Sequence, residues 1–205
     1  MLRSTLASST VVLLSLVASG CSNIGLLEQL ENPGATKVES CGSNCRIFVS
    51  SNTYTGALGG PAGADTKCMN DPSRPSSKTI WKALLAHPSQ RIACTSANCG
   101  GGAGENSNWV LKPNSTYSLL NGAIVSTTNS SGIFNFPFTT VIGGAGAGVW
   151  TGIASNWLQG GNCTGWTLAD SSLAAVGNAG DSTMQAINWT NSVCTSGSLL
   201  YCVEQ

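Results

Sequence analysis

An α+β domain stapled by disulfides is the fold class that this sequence predicts. Three observations predict it: two helix-like segments between residues 60 and 86, short β-prone runs from Cys94 onward, and eight cysteines spread from Cys41 to Cys202. Helices followed by irregular antiparallel strands are the pattern of an α+β domain. A chain whose strands are separated by Gly-, Asn- and Ser-rich loops needs covalent staples to hold them.

The start of the chain carries processing information. Arg3 precedes an apolar run at residues 11–18, which is shorter than the roughly 20 residues that span a bilayer and suits a signal-peptide core. Ala18-Ser19-Gly20-Cys21 resembles the lipobox of bacterial lipoproteins, with Ala18 where Leu is commoner. That resemblance implies a signal peptide over residues 1–20 and a lipid on Cys21; ordinary cleavage near Ala18 or Gly20 would instead leave Cys21 as a disulfide partner. Nine cysteines are an odd number, and setting Cys21 aside leaves eight, enough for four disulfides in an oxidising, exported location.

Residues 21–40 then read as the lipidated cysteine and a tether, with an Asn32-Pro33-Gly34 turn and room for a short helix at residues 26–30. The domain is expected over residues 41–205. Residues 45–50 form a compact β-prone run. Residues 61–70 begin with Pro61 and continue with helix formers as far as Cys68, which predicts the first helix. The second is predicted over residues 76–86, where Ile80, Trp81, Leu84 and Leu85 would form an apolar stripe, Lys78 and Lys82 stand four apart, and Ser76 or Ser77 would cap the N-terminus. Further strands are expected at residues 108–111, 123–126, 149–153 and 199–203.

Nine acidic and nine basic residues cancel, so no global field favours nucleic acid. Local bias remains. Every Lys and Arg lies at or before Lys112, and Arg74, Lys78, Lys82 and Arg91 fall close together. They form a candidate site for an acidic or sulfated partner, although such a pattern more often solvates a helix face.

Catalytic chemistry finds little footing. His87 is the only histidine and precedes Pro88 at an expected helix end, where a solvated cap or turn is the ordinary role. The carboxylates are scattered without acid/base spacing, no catalytic Ser-His-acid arrangement can be read, and Cys-x-x-Cys zinc pairs are absent. The glycine-rich residues 141–148 lack the helix and lysine of a phosphate loop and lead into a Trp-containing run instead. No enzyme, metal or cofactor is therefore expected.

The Cys and Trp order resembles the C-type lectin-like fold, with Trp150-Thr151-Gly152-Ile153 matching that family's Trp-Ile-Gly-Leu strand. The resemblance implies a C-type lectin-like domain of two helices, short antiparallel strands and long loops. It also implies that Cys68 pairs with Cys202 and Cys163 with Cys194, leaving Cys41 for Cys45 and Cys94 for Cys99. Sugar-binding members hold calcium through Trp-Asn-Asp and an upstream proline motif, whereas this chain has Trp189-Thr190-Asn191 and no proline between Trp166 and Asn188. Calcium prefers several carboxylate and carbonyl oxygens, so no calcium-dependent lectin site is expected.

Longer blocks, RIFVSSNTYTGALGGPAGADTKC, SKTIWKALL, IACTSANCGGGAGENSNWVLKPNSTY, VWTGI and LLYCVEQ, resemble the leptospiral endostatin-like surface lipoproteins from about Cys45 to Gln205. Endostatin's zinc-binding histidines have no counterpart here. This likeness implies a lipid-anchored, surface-exposed outer-membrane protein that binds host proteins: matrix components such as laminin or fibronectin, complement regulator factor H, or plasminogen. The alternative is a calcium-independent carbohydrate-binding module in which Trp157, Trp166 or Trp189 stacks on a sugar ring.

Overall fold

A computed structural model describes residues 40–75 and 79–205. The expected signal peptide, Cys21, most of the tether, Ser76, Ser77 and Lys78 lie outside the described residues. In chain order the elements are β1 (Asn44–Val49), α1 (Gly60–Met69), β2 (Trp81–Ala83), β3 (Thr116–Ser118), β4 (Ile124–Thr127), β5 (Gly148–Trp150), β6 (Leu173–Asn178), β7 (Thr190–Val193) and β8 (Tyr201–Glu204), with short 3-10 turns between them.

Two sheets carry the domain. The larger is ordered β2-β8-β1-β3-β4 and the smaller β5-β6-β7. β1 lies centrally, antiparallel to β8 through Ile47 opposite Val203 and parallel to β3 through Cys45 opposite Tyr117. All pairings in the smaller sheet are antiparallel.

The two-helix, C-type lectin-like expectation is overturned, because among the described residues α1 is the one regular helix and eight strands dominate. Where the second helix was expected, residues 81–83 form β2 on the edge of β8, Trp81 opposite Glu204 and Ala83 opposite Cys202. The reason lies in burial. Trp81 and Ala83 are buried on either side of a half-exposed Lys82, the two-residue period of a strand, while Ile80, assigned to the helical stripe, is 37 % exposed. Leu84 and Leu85 are both buried, so continuous burial mimicked a helical stripe. The four-residue turn Cys163–Trp166 is no second helix either, since Thr164 and Gly165 have positive φ inside it.

Other expectations meet the structure more closely. The helix expected at residues 61–70 is α1, shifted by one residue, with Pro61 in its first turn. Expected strands near residues 45, 123, 149 and 199 become β1, β4, β5 and β8. Residues 108–111 form no strand; Asn108 has a positive φ, and only the preceding Ser107 makes a bridge, to Ile92.

Four disulfides close the domain: Cys41–Cys45, Cys68–Cys202, Cys94–Cys99 and Cys163–Cys194. The second ties α1 to β8. The fourth sits against Gly56, where any Cβ would overlap Cys163 Sγ. Around these bridges lie two apolar clusters. One gathers Tyr117, Phe134, Phe138 and Trp157, and the other gathers Trp81, Trp150 and Trp166 with Cys68, Cys163, Cys194 and Cys202. Buried indole N–H groups find acceptors, Trp150 at Tyr54 O and Trp166 at Ala86 O, both at 2.7 Å, as burial of a polar handle requires.

Candidate functional site: the Arg91 cleft and the β6–β7 surface

The segment from His87 to Arg91 folds back on itself because its histidine serves as a turn acceptor. His87 Nδ1 accepts from Ser89 N at 3.1 Å and Gln90 N at 3.0 Å, and His87 N donates to Arg91 O at 2.7 Å. With Nδ1 occupied as an acceptor, the neutral ring carries its proton on Nε2. The solvated position expected for His87 is corrected: the residue is 9 % exposed. A Cβ on Gly165 would stand 2.8 Å from His87 Nε2, so the positive-φ glycine admits the ring. Burial, and secondarily the nearby Arg91 charge, lower the imidazole pKa.

Arg91 is 1 % exposed. Its Nη1 donates to Asp65 Oδ1 and Ala83 O, both at 2.8 Å, and its Nη2 donates to Asp65 Oδ2 at 2.6 Å. A forked pair of this kind fixes the guanidinium in one orientation. Its Nε is the buried side-chain nitrogen or oxygen without a hydrogen-bond partner among the described residues. Leaving such a donor unmet costs about 1–3 kcal/mol. Arg91 is among the residues lining a cleft of about 350 Å³, together with His87, Pro88, Leu158 and Gln159. The Cys94–Cys99 bridge borders the cleft through Cys94.

The predicted basic patch loses one of its four members. Arg91 is buried and neutralised by Asp65, so it leaves the surface. Arg74 is half-buried in the loop after α1, Lys82 is half-buried on β2 with Nζ 3.5 Å from Asn108 Oδ1, and Lys78 is outside the described residues.

The tryptophans also divide. Trp157, 2 % exposed, packs among Trp109, Phe134 and Phe136, and Trp166, 0 % exposed, meets Trp150 edge to face at 5.9 Å. Neither can stack on a sugar, which corrects two of the three candidates. Trp189 is 46 % exposed at the start of β7. At the other end of the β6–β7 ladder, Leu173 on β6 stands directly opposite Val193 on β7, at 54 % and 39 % exposure. Sequence reasoning missed Leu173 and Val193, because an apolar residue in a short polar strand reads as core until its register is known.

The acids have local duties. Glu105 accepts from Ser96 Oγ, Ser96 N, Thr95 N, Thr95 Oγ1 and Gly101 N, and these bonds, the Ser96 hydroxyl foremost, hold its pKa down at about 2. Asp71 accepts from Ser51 N and Oγ and from Ser73 N. Asp170 takes Ser172 and Asp181 takes Thr183 in tight turns. Glu204 receives the Arg46 guanidinium, and Asp65 receives Arg91. Thus all six acids of the described residues brace loops or strands.

Fold and surfaces together define a disulfide-stapled, mainly β domain with small clefts, among them the one beside Arg91, and with exposed apolar groups along β6–β7. The chain belongs to the family described as "Protein of unknown function (DUF1554)", whose model matches residues 51–185. None of the curated proteins matches it.

Proposed function

We propose that the chain is a lipid-anchored bacterial outer-membrane protein whose stapled domain binds host proteins at the cell surface, in adhesion or immune evasion, and catalyses no reaction. The observation that carries the binding reading is the exposed Leu173–Val193 pair at one end of the β6–β7 ladder, with the exposed Trp189 at its other end, large apolar groups left in solvent along the edge pair of the smaller sheet. Contiguous exposed apolar groups commonly mark interaction sites. The engagement of every described acid in loop bracing supports a non-catalytic role. Matrix glycoproteins such as laminin and fibronectin, plasminogen, and complement regulator factor H are the partner classes that the lipoprotein resemblance implies.

A pull-down from human serum and solubilised matrix tests this, using immobilised, disulfide-bonded residues 22–205 with and without EDTA and heparin. Capture of one such protein, insensitive to EDTA and lost when Leu173 and Val193 become Ser and Trp189 becomes Ala, is the expected result. Equal capture by the triple variant would remove these groups from the reading. No capture above a denatured control would remove host binding itself.

The exposure of Trp189 favours a second reading, a calcium-independent carbohydrate-binding module. Its test is a glycan array whose signal survives EDTA and disappears in Trp189→Ala.

A further inference from the structure

The two sheets have four edge strands, β2, β4, β5 and β7, and the chain itself covers three of these edges. β2 is covered by α1, Ala83 N donating to Asp65 Oδ1 at 2.9 Å and Trp81 N to Met69 Sδ at 3.1 Å. β4 is met by Thr139, whose N donates to Val125 O at 2.8 Å. β5 is met by Leu199, which accepts from Trp150 N at 3.0 Å and donates to Gly148 O at 2.9 Å. The outer edge of β7 has no such cover among the described residues.

The ladder decides which groups that edge presents. Opposed residues of an antiparallel pair alternate between exchanging both backbone hydrogen bonds and exchanging none. Just past β7, Cys194 N donates to Ser172 O at 2.9 Å, so the bonded pairs within the ladder are Ser192 with Ala174 and Thr190 with Val176. Asn191 and Val193 therefore turn their N–H and C=O groups away from β6. Val193 O is met by Ser196 N at 2.9 Å. Among the described residues Asn191 N and Val193 N have no acceptor, and Asn191 O receives only Thr190 Oγ1 at 3.5 Å. Both residues are exposed. Edge strands are commonly blunted by Lys, Pro or a bulge, whereas Thr190-Asn191-Ser192-Val193 holds neither residue and keeps an unbroken register.

An unpaired row of main-chain donors and acceptors is satisfied by an extended segment that adds a strand. An added strand beside Val193 also runs past the exposed Leu173–Val193 pair, which suits apolar side chains at alternate positions. Charge selects among such segments. Beyond Lys112 the charged residues are Asp170, Asp181 and Glu204, and Glu204 is matched by Arg46. Asp170 stands at the Leu173–Val193 end of the ladder, its O accepting from Thr195 N at 3.1 Å. It is exposed and has no cationic partner among the described residues. A second copy of β7 would bring another anionic flank, and a segment carrying Lys or Arg would bring the complement.

We propose that β7 is the docking edge for an extended segment of a partner protein, apolar at alternate positions and flanked by Lys or Arg, held by main-chain hydrogen bonds to Asn191 and Val193. The inference rests on the binding reading of the β6–β7 surface and specifies how the partner is held.

The test is NMR titration of the folded, disulfide-bonded, ¹⁵N-labelled chain with the capped peptide Lys-Thr-Val-Thr-Val-Thr-Lys. Controls are the same peptide with Glu at both ends and the same peptide N-methylated at every Thr and Val. Asn191→Pro removes an outward N–H without touching the bonds to β6, and Val193→Pro does the same should the first variant disturb the whole spectrum. The expected result is a saturable shift of the Asn191 and Val193 amides with slowed exchange at both. Binding should weaken at least about tenfold for the methylated peptide and for a folded Pro variant, and at least about threefold at low salt for the Glu-ended peptide. The proposal is overturned if neither amide responds, if either control peptide binds as tightly, or if a folded Pro variant binds like the parent. The titration needs no host protein. Failure of the titration with a successful serum and matrix pull-down removes edge pairing and leaves the host reading, and the reverse result removes the host reading and leaves the edge.

Discussion

His87 is the residue where pH enters the fold. Its Nδ1 cannot take a proton without losing both amide donors, Ser89 N and Gln90 N. The folded pKa is lowered from 6.5 by burial and then by Arg91, so the neutral ring is the folded form. Stability from this group is fully present above the unfolded pKa of about 6.5 and is lost as pH falls through that value toward the folded pKa. The expected outcome is a melting temperature that declines on acidification below about pH 6.5. His87→Asn, which retains a side-chain acceptor for the turn, should flatten that decline; an identical pH profile for both chains would show that His87 is not its source. Glu105 also has its pKa lowered, to about 2, so its contribution too is lost on acidification, but only as pH falls below about 4.5 toward that value. Glu105→Gln is expected to speed amide exchange at Ser96 and Gly101 without disturbing the sheets. The tryptophans give the clearest contrast: Trp166→Ala should cost about 3–5 kcal/mol as a buried aromatic truncation, and Trp189→Ala less than about 0.5 kcal/mol as a surface change, both read by urea denaturation. A turn at His87 was legible in the sequence because Pro88 follows it. The burial of His87 was not, since Gly165, which admits the ring, lies 78 residues away in sequence.

Among the elements, α1 was legible because Pro61 starts it and its determinants are local. β2 was not. Trp81-Lys82-Ala83 becomes a strand through pairing with β8, more than 100 residues later in the chain, and an apolar stretch of that length is ambiguous between helix and strand until its partner is known. β6 and β7 were missed for the mirror reason: Ala174, Ala175 and Gly177 carry weak strand propensity, and Thr190-Asn191-Ser192 reads as loop. Covalent links set the energetic rank of the loops. Cys68–Cys202 spans 134 residues, for which the chain-entropy model gives about 5 kcal/mol, whereas Cys94–Cys99 spans 5 and restricts far less chain. Replacing Cys68 and Cys202 by Ala should therefore lower the urea midpoint much more than replacing Cys94 and Cys99, and equal losses would contradict the entropic account. Gly56→Ala, which crowds the Cys163 sulfur, should cost about 3 kcal/mol by overpacking, with the same denaturation as its measure.

At the scale of the whole molecule, the cysteine framework was legible and the exposed surface was not. Cysteine positions announce themselves in a chain, but the pairing of Leu173 with Val193 and the withdrawal of Arg91 behind Asp65 are products of register and three-dimensional packing. The candidate site therefore moved from a basic helix face to the exposed β6–β7 groups and a cleft. β1 occupies the middle of the larger sheet, one side laddered to β8 and the other to β3, and Cys41 N donates to Gln205 O so that the first and last described residues of the domain meet. A tug on the chain ahead of Cys41 against a load at the far end of the sheet would thus draw β1 along its length, with both hydrogen-bond ladders loaded in shear. The Cys41–Cys45 loop just ahead of that strand is closed by a covalent bond. Such a domain holds its shape under traction along β1: single-molecule stretching between residue 40 and Asn121, just past the far end of β3, should register one abrupt rupture of the larger sheet, whereas stretching between residue 40 and Gln205 should peel β1 from β8.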